Sequence, residues 1–220
     1  MDQANIVIIG GGVIGSAIAC ALSKTYSDVF VLEALPRVGM LTSTRNSGVI
    51  HSGIYYVQNS LKARLCVRGN VLTYEFCAAH GVPCRNIGKI VVAPSESVLP
   101  QLEALKKNGE ANGVANMRII DRAAFRKREP HVEGFCALEV PSTGILSSED
   151  LVKAYRPAAP ASFHSGLLEN FPRRPNPCPA SNAHKSLFIA CYFSRRHVCS
   201  GKFAPFAFAI PLPAIPLGLK

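Results

Sequence analysis

The feature that most constrains this chain is a run of glycines set between two apolar segments near its start. Asn5-Ile6-Val7-Ile8-Ile9 is a continuous, largely β-branched run, the pattern of a strand buried on both faces of a parallel sheet. Gly10-Gly11-Gly12-Val13-Ile14-Gly15 follows without a break. Residues 16–24 then carry helical spacing, with Ile18, Ala19 and Leu22 on one face. Asp28 precedes a second apolar run, Val29-Phe30-Val31-Leu32, which ends at Glu33. These segments make a complete β-α-β unit, and the fold class expected is α/β.

Each part of the pattern answers a physical need of dinucleotide binding in a Rossmann-like domain. Gly10 permits the tight turn from strand to helix, Gly12 lets a pyrophosphate approach the backbone, and Gly15 lets the helix pack closely on the strands. Gly11, Val13 and Ile14 complete the turn. The helix N-terminus offers amide groups and the positive end of a dipole to the phosphates. Glu33 stands 18 residues after Gly15, where a carboxylate can accept hydrogen bonds from ribose hydroxyls. It would repel a 2′-phosphate, so NADP is disfavoured. The unit by itself leaves FAD and NAD open.

Organisation along the chain changes at one point. Of the 220 residues, those from Arg156 onward hold eight Lys or Arg and one acid, leaving 16 of the 24 basic and 13 of the 14 acidic side chains before it. The net charge of +10 therefore belongs mostly to the last third. Ten of the 16 prolines and seven of the 11 phenylalanines lie there as well. Pro205, Pro211, Pro213 and Pro216 break its last apolar run, so that run can be neither helix nor central strand. Residues 156–220 are expected to be an irregular, disordered basic tail. It lacks the organised stripe of a nucleic-acid surface, and no nucleic-acid partner is expected.

Other classes can be set aside. Every long apolar run carries proline, glycine or charge, so no transmembrane segment is expected. The opening Met1-Asp2-Gln3-Ala4 resembles neither a secretory signal nor an organellar presequence. Cys20, Cys66, Cys77, Cys84 and Cys136 are scattered without a CxxC pair, which favours a reducing compartment over a disulfide framework. Cys191 and Cys199, near His184 and His197, lack zinc-finger spacing, and no metal is expected.

Further elements are legible from spacing. Residues 61–79 have helical periodicity through Leu61, Leu65, Leu72 and Phe76, and residues 88–93 read as a strand. Residues 97–112 read as a helix with Leu99, Leu102 and Leu105 inward. A short helix over 121–128 is capped by Asp121, and another starts near a Ser148 cap.

The most distinctive stretch is Thr42-Ser43-Thr44-Arg45-Asn46-Ser47-Gly48-Val49-Ile50-His51-Ser52-Gly53-Ile54-Tyr55-Tyr56. Small hydroxyl and amide side chains, two glycines, a histidine and paired tyrosines are poor core material, but they suit a segment passing close to a planar ring and a polar substrate. The extended pattern of Gly10, Gly12, Gly15, Ala19 and Leu22, with Gly39 six residues after Glu33, resembles the dinucleotide-binding motif of FAD-dependent oxidoreductases. The run from Asn46 to Tyr56 resembles that of the L-2-hydroxyglutarate dehydrogenase family, within the D-amino-acid-oxidase-like FAD oxidoreductases. Leu61–Cys66, Gly88–Ala93, Lys127–Pro130 and Pro141–Ile145 look like segments of the same family. The likeness spans residues 5–155.

The resemblance implies a domain plan: an FAD-binding part over 1–87 and part of a β-rich substrate domain over 88–155. It implies noncovalent FAD held by Gly10, Gly11, Gly12, Val13, Ile14, Gly15 and Glu33, with Ser43, Asn46, Ser47 and Gly48. It further implies oxidation of L-2-hydroxyglutarate to 2-oxoglutarate by hydride transfer to the flavin, a separate electron acceptor, and a mitochondrial location, the cytoplasm being the alternative for a chain with no visible presequence. His51 is the candidate base, since imidazole titrates near working pH; its alternative is a structural histidine bonded to the flavin or a carbonyl. Tyr55 and Tyr56 can donate to a substrate carboxylate or simply pack. Arg45 can pair with a carboxylate or the flavin pyrimidine, or be a surface arginine.

Two other readings stay open. Family members are considerably longer, and the abrupt change at Arg156 suggests an alternative or misread 3′ portion. The chain would then be a truncated, inactive FAD-binding fragment. The other reading keeps the fold and takes an amino-acid or amine substrate, as in glycine or sarcosine oxidases.

Overall fold

The computed structural model describes residues 6–27, 29–155 and 162–165, the last four as backbone alone. Expectations resting on Asn5, on Asp28 and on the charge, prolines, cysteines and histidines of the tail lie outside the described residues. In chain order the elements are β1 (Ile6–Ile9), α1 (Val13–Leu22), β2 (Val29–Glu33), β3 (Val49–Ile50), α2 (Leu61–His80), β4 (Cys84–Arg85) and β5 (Lys89–Ala93). There follow α3 (Leu99–Ala111), β6 (Arg118–Asp121), α4 (Arg122–Arg128), β7 (Cys136–Val140), β8 (Gly144–Leu146), α5 (Ser148–Ala154) and β9 (Ser162–Ser165). They are divided between two compact units that interleave in sequence. One comprises 6–50, 71–85 and 145–155 with 162–165, the other 51–70 and 86–144.

The first unit is built on the β-α-β segment. β1 and β2 pair in parallel, from Ile6 opposite Val29 to Ile9 opposite Leu32, so both strands finish at the same edge. The Gly10 amide donates to the Leu32 carbonyl there at 2.8 Å, fixing the turn beside the end of β2. Ala19 of α1 packs on Val29 and Val31, with Ile6, Ile8 and Leu22 around them. The expectation that β1 is buried on both faces is not met: Val7 is 50% and Ile9 67% exposed. Successive residues of a strand face opposite sides, and among the described residues only the side facing α1 is covered. Ile18 likewise turns outward, and the helix buries Gly15, Ser16 and Ala19 instead.

β9 adds to the other edge of β2, in parallel from Phe30 opposite Ser162 to Glu33 opposite Ser165. These four residues fall in the stretch expected to be irregular. An open edge presents unpaired amides and carbonyls, and a short segment of any polarity can satisfy them through its backbone. A small sheet in the order β3-β8-β4 and helix α5 complete this unit. The α5 cap is Ser147 rather than Ser148: its hydroxyl accepts the Asp150 amide at 3.3 Å.

The second unit is an antiparallel sheet in the order β5-β7-β6. Its period of two sorts the strands cleanly. Val91, Ala93, Cys136, Leu138 and Val140 pack with Ile54 and with Leu102 and Leu105 of α3. Ile90, Val92 and Ala137 pack on the other face with Phe125 of α4 and Val132. α4 begins as the sequence suggests, with the Asp121 carboxylate accepting the Ala124 amide at 2.7 Å. In α2 the buried residues are Ala63, Asn70 and Cys77, whereas Leu61, Leu65 and Leu72 are exposed.

Candidate functional site

The glycine turn has the geometry that its residues require. Gly10 has φ +102°, a conformation that a side chain would strain. A Cβ on Gly15 would stand 1.9 Å from the Gly10 carbonyl oxygen, so helix and turn meet at a distance only glycine permits. α1 starts at Gly12 without a side-chain cap. Ser43 reaches in from the following loop, and its hydroxyl accepts the Val13 amide at 2.9 Å. The Glu33 carboxylate accepts the Gly11 amide at 2.7 Å through one oxygen and the Leu35 amide at 2.9 Å through the other. Strand end, turn and helix start are therefore tied together around the glycines.

The loop carrying residues 42–48 is held by Asn46. Its amide nitrogen donates to the carbonyls of Thr42 (3.0 Å) and Ser43 (2.9 Å), and its oxygen accepts the Gly48 amide at 2.8 Å. Gly48 has φ +64°, and a Cβ there would come within 2.4 Å of the Leu146 carbonyl oxygen. Asn46 thus shapes the loop through its own backbone. Arg45 and Ser47 are exposed.

In the second unit, His51 and the tyrosine pair open the segment that runs to α2. The His51 carbonyl accepts Asn70 Nδ2 at 3.1 Å and Cys66 Sγ at 3.6 Å. Asn70 also donates to the Ser142 carbonyl at 2.9 Å, so one buried amide joins two segments. His51 reaches solvent, yet its pKa is lowered from the usual imidazole value, chiefly by the protein packed around it and then by the charges of Lys89 and Lys62. Burial pushes the Tyr56 hydroxyl up, and Cys66, to which it is hydrogen-bonded, adds to the shift. Lys89 Nζ lies over the Tyr55 ring at 4.4 Å, and Lys62 Nζ over the Tyr56 ring at 4.7 Å.

Backbone around the tyrosines is clamped from α3. Asn108 Nδ2 donates to the carbonyls of Ile54 (2.8 Å) and Tyr56 (3.0 Å), while Asn112 Nδ2 donates to those of Gly53 (3.1 Å) and Tyr56 (2.8 Å). Sequence reasoning gave no role to these asparagines, to Asn70 or to Lys89. A partial signal existed: Asn108 is a poor helix former inside α3, and Asn112, four residues on at the helix C-cap, lies on the same side. Among the described residues no group of three or more His, Cys, Asp or Glu is arranged to hold a metal, and no helix is long and apolar enough to cross a membrane.

The family model of FAD-dependent oxidoreductases (DAO) matches residues 5–163. This chain belongs to that family. The match runs eight residues beyond Tyr155, where the likeness was expected to end, and takes in the start of β9. Among relatives, the mitochondrial L-2-hydroxyglutarate dehydrogenase of Nematostella vectensis is 40% identical over 156 residues, 70% of this chain and 34% of that protein. The Homo sapiens protein of the same name is 40% identical over 153 residues, 69% of this chain and 33% of its own length. That of Arabidopsis thaliana is 39% identical over 151 residues. The chain thus spans about a third of the length of these relatives.

The fold agrees. The FAD-bound L-α-glycerophosphate oxidase of Mycoplasma pneumoniae superposes with a TM-score of 0.67 at 28% identity, over 76% of this chain and 45% of that one. The glycine oxidase of Geobacillus kaustophilus superposes with a TM-score of 0.64 at 20% identity, which speaks for the fold alone. FAD is the cofactor of this family, and the chain's own residues fit it. The Gly10–Gly15 turn has no side chain over its three leading glycines, and the Glu33 carboxylate stands beside it at the end of β2.

Proposed function

We propose that this chain is the flavin-anchoring part of an FAD-dependent dehydrogenase that oxidises L-2-hydroxyglutarate to 2-oxoglutarate in mitochondria and passes the electrons to a separate acceptor. The run from Asn46 to Tyr56, together with about 40% identity to L-2-hydroxyglutarate dehydrogenases, carries the reading. The resemblance of this run to the hydroxy-acid branch favours that substrate over the amino acid of glycine or sarcosine oxidases.

The residues divide the work. Gly10, Gly11, Gly12, Val13, Ile14 and Gly15 hold the pyrophosphate through backbone amides and the α1 dipole. Glu33 holds the ribose. Ser43, Asn46, Ser47 and Gly48 form the loop that passes the ring system, which is held without a covalent bond. The flavin, when bound, accepts the two electrons of the oxidation. His51 removes the hydroxyl proton of the substrate, and its lowered pKa keeps it in the neutral form that a base requires. Tyr55 donates to a substrate carboxylate, and Arg45 supplies an exposed positive charge for the approaching anion.

A second reading is favoured by one observation: the chain spans about a third of its relatives. In it the chain binds FAD without turnover. The visible absorption spectrum of the purified full chain, taken before and after anaerobic addition of L-2-hydroxyglutarate, separates the two. Flavin bands that bleach support the dehydrogenase. Bands that persist support the binding fragment, and a colourless protein overturns both.

A further inference from the structure

Lys89 shares its face of β5 with Val91 and Ala93, which pack with Ile54. The strand's period commits that side chain to the interior, and Lys89 is only 8% exposed. Burying an ammonium is costly unless its charge is compensated. The Tyr55 ring beneath Lys89 supplies part of that compensation, and Lys62 over Tyr56 repeats the arrangement one residue on. Both lysines act on His51 and on Cys66, whose thiol donates to the His51 carbonyl. Positive charge is thereby concentrated around a histidine that works as a neutral base. Ser52, the next residue, is 2% exposed, and its hydroxyl oxygen has no hydrogen-bond partner among the described residues. A positive field around His51 and an unpartnered buried hydroxyl on the next residue of the chain suit a ligand that brings negative charge and acceptor oxygens of its own.

We propose that Lys89 binds one carboxylate of the substrate beside His51 and that Lys62 takes the second, so that the lysine-on-tyrosine pair selects a dicarboxylic 2-hydroxy acid over a monocarboxylic one. This rests on the dehydrogenase reading above and adds the residues that read the dianion. Lys62 is exposed on α2 and can meet a substrate from solvent, whereas Lys89 sits deeper and fixes the end nearer the base.

The test is equilibrium binding to the full chain, followed by calorimetry, of 2-oxoglutarate and of its monocarboxylic counterpart 2-oxobutyrate. Removing one charge-assisted contact should weaken binding about tenfold or more. Lys89→Met is expected to weaken both keto acids by that factor, with Lys89→Arg recovering part of the loss. Lys62→Met is expected to weaken 2-oxoglutarate similarly and leave 2-oxobutyrate unchanged. Circular dichroism checks the fold of the buried variant, and if Lys89→Met does not fold, the exposed Lys62→Met and the Lys89→Arg variant decide. Unchanged 2-oxoglutarate affinity in a folded variant overturns that lysine's assignment, as does equal affinity of the parent chain for the two keto acids or no binding of either. Lysine-dependent dicarboxylate binding by a chain without flavin bands would sink the flavin reading and support this one. Flavin bands without lysine dependence would do the reverse.

Discussion

The Glu33 carboxylate accepts the Gly11 amide at 2.7 Å, which ties the end of β2 to the middle of the glycine turn. Its second oxygen accepts the Leu35 amide. Each carboxylate oxygen has two acceptor sites, so both retain capacity for ribose hydroxyls. One side chain therefore shapes the turn, and in the proposed function the same side chain holds the cofactor. Glu33→Ala is expected to weaken FAD binding by about tenfold or more, since hydrogen bonds to a charged group contribute about 1.5–3 kcal/mol each. Fluorescence titration with FAD reads this directly, and an unchanged dissociation constant would show that Glu33 serves the turn alone.

Gly15 faces a constraint no side chain can meet. Its Cβ would stand 1.9 Å from a backbone oxygen, so Gly15→Ala forces the turn away from α1. FAD binding should be lost and thermal stability lowered. Gly69 is the control, because it sits inside α2 and a Cβ there meets nothing within 4 Å. Gly69→Ala should stabilise by about 0.5–1 kcal/mol through helix propensity. Equal effects at the two positions would refute the packing account.

The α3 asparagines make a separate prediction about the tyrosine segment. Each amide satisfies two carbonyls between Gly53 and Tyr56. A lost hydrogen bond costs about 1 kcal/mol, and more where the acceptor stays buried. Asn108→Ala and Asn112→Ala should each destabilise by about 1–3 kcal/mol in urea unfolding. Because both bind the Tyr56 carbonyl, their effects should be non-additive. Strict additivity would show that the two amides act independently.

Glu139 is buried on β7 between the guanidiniums of Arg118 and Arg128. Burial alone would raise its pKa, but hydrogen bonds from the two arginines and their charges outweigh that and hold it below the usual carboxylate range. A lowered carboxylate pKa gives stability that is present above the unfolded value of about 4.3 and lost as pH falls through the folded one. Glu139→Gln should therefore be less stable than the parent at pH 7, and the difference should shrink as the pH is lowered through and below 4. A difference constant with pH would rule out the ion pairs as its source.

Legibility in the sequence followed the distance over which each feature is determined. The β-α-β turn was readable because Gly10, Gly15 and Glu33 answer constraints set within about thirty residues, and the Asp121 cap within three. The inward face of α2 was not. Its leucines follow a helical period, but the chain buries Ala63, Asn70 and Cys77, small or polar residues chosen by partners far away in sequence. Lys89 was hidden for the same reason. Nothing in its own strand marks it as interior, and it becomes so through the packing of Ile54, Leu102 and Leu105 on the Val91–Ala93 face of β5. β9 could not be foreseen because its pairing is made by backbone and needs no side-chain pattern.

His51 carries the last prediction. Its pKa is lowered by desolvation first, then by Lys89 and Lys62, the charged groups that reach it from β5 and α2. A base works in its neutral form, so the rate of flavin reduction should fall as pH drops through the histidine pKa. That acid limb should lie below about 6.5, the ordinary imidazole value. Lys89→Met removes one of the two charges that oppose the imidazolium, so the limb should move upward, toward 6.5, while Lys89→Arg leaves it in place. His51→Gln should abolish the limb together with most of the rate, since a positioned base contributes about 100- to 10,000-fold. Stopped-flow reduction measured from pH 5 to 8 distinguishes the roles. A limb that stays fixed in Lys89→Met would mean that the titrating group is not His51 or that Lys89 does not act on it, and its survival in His51→Gln would decide for the first.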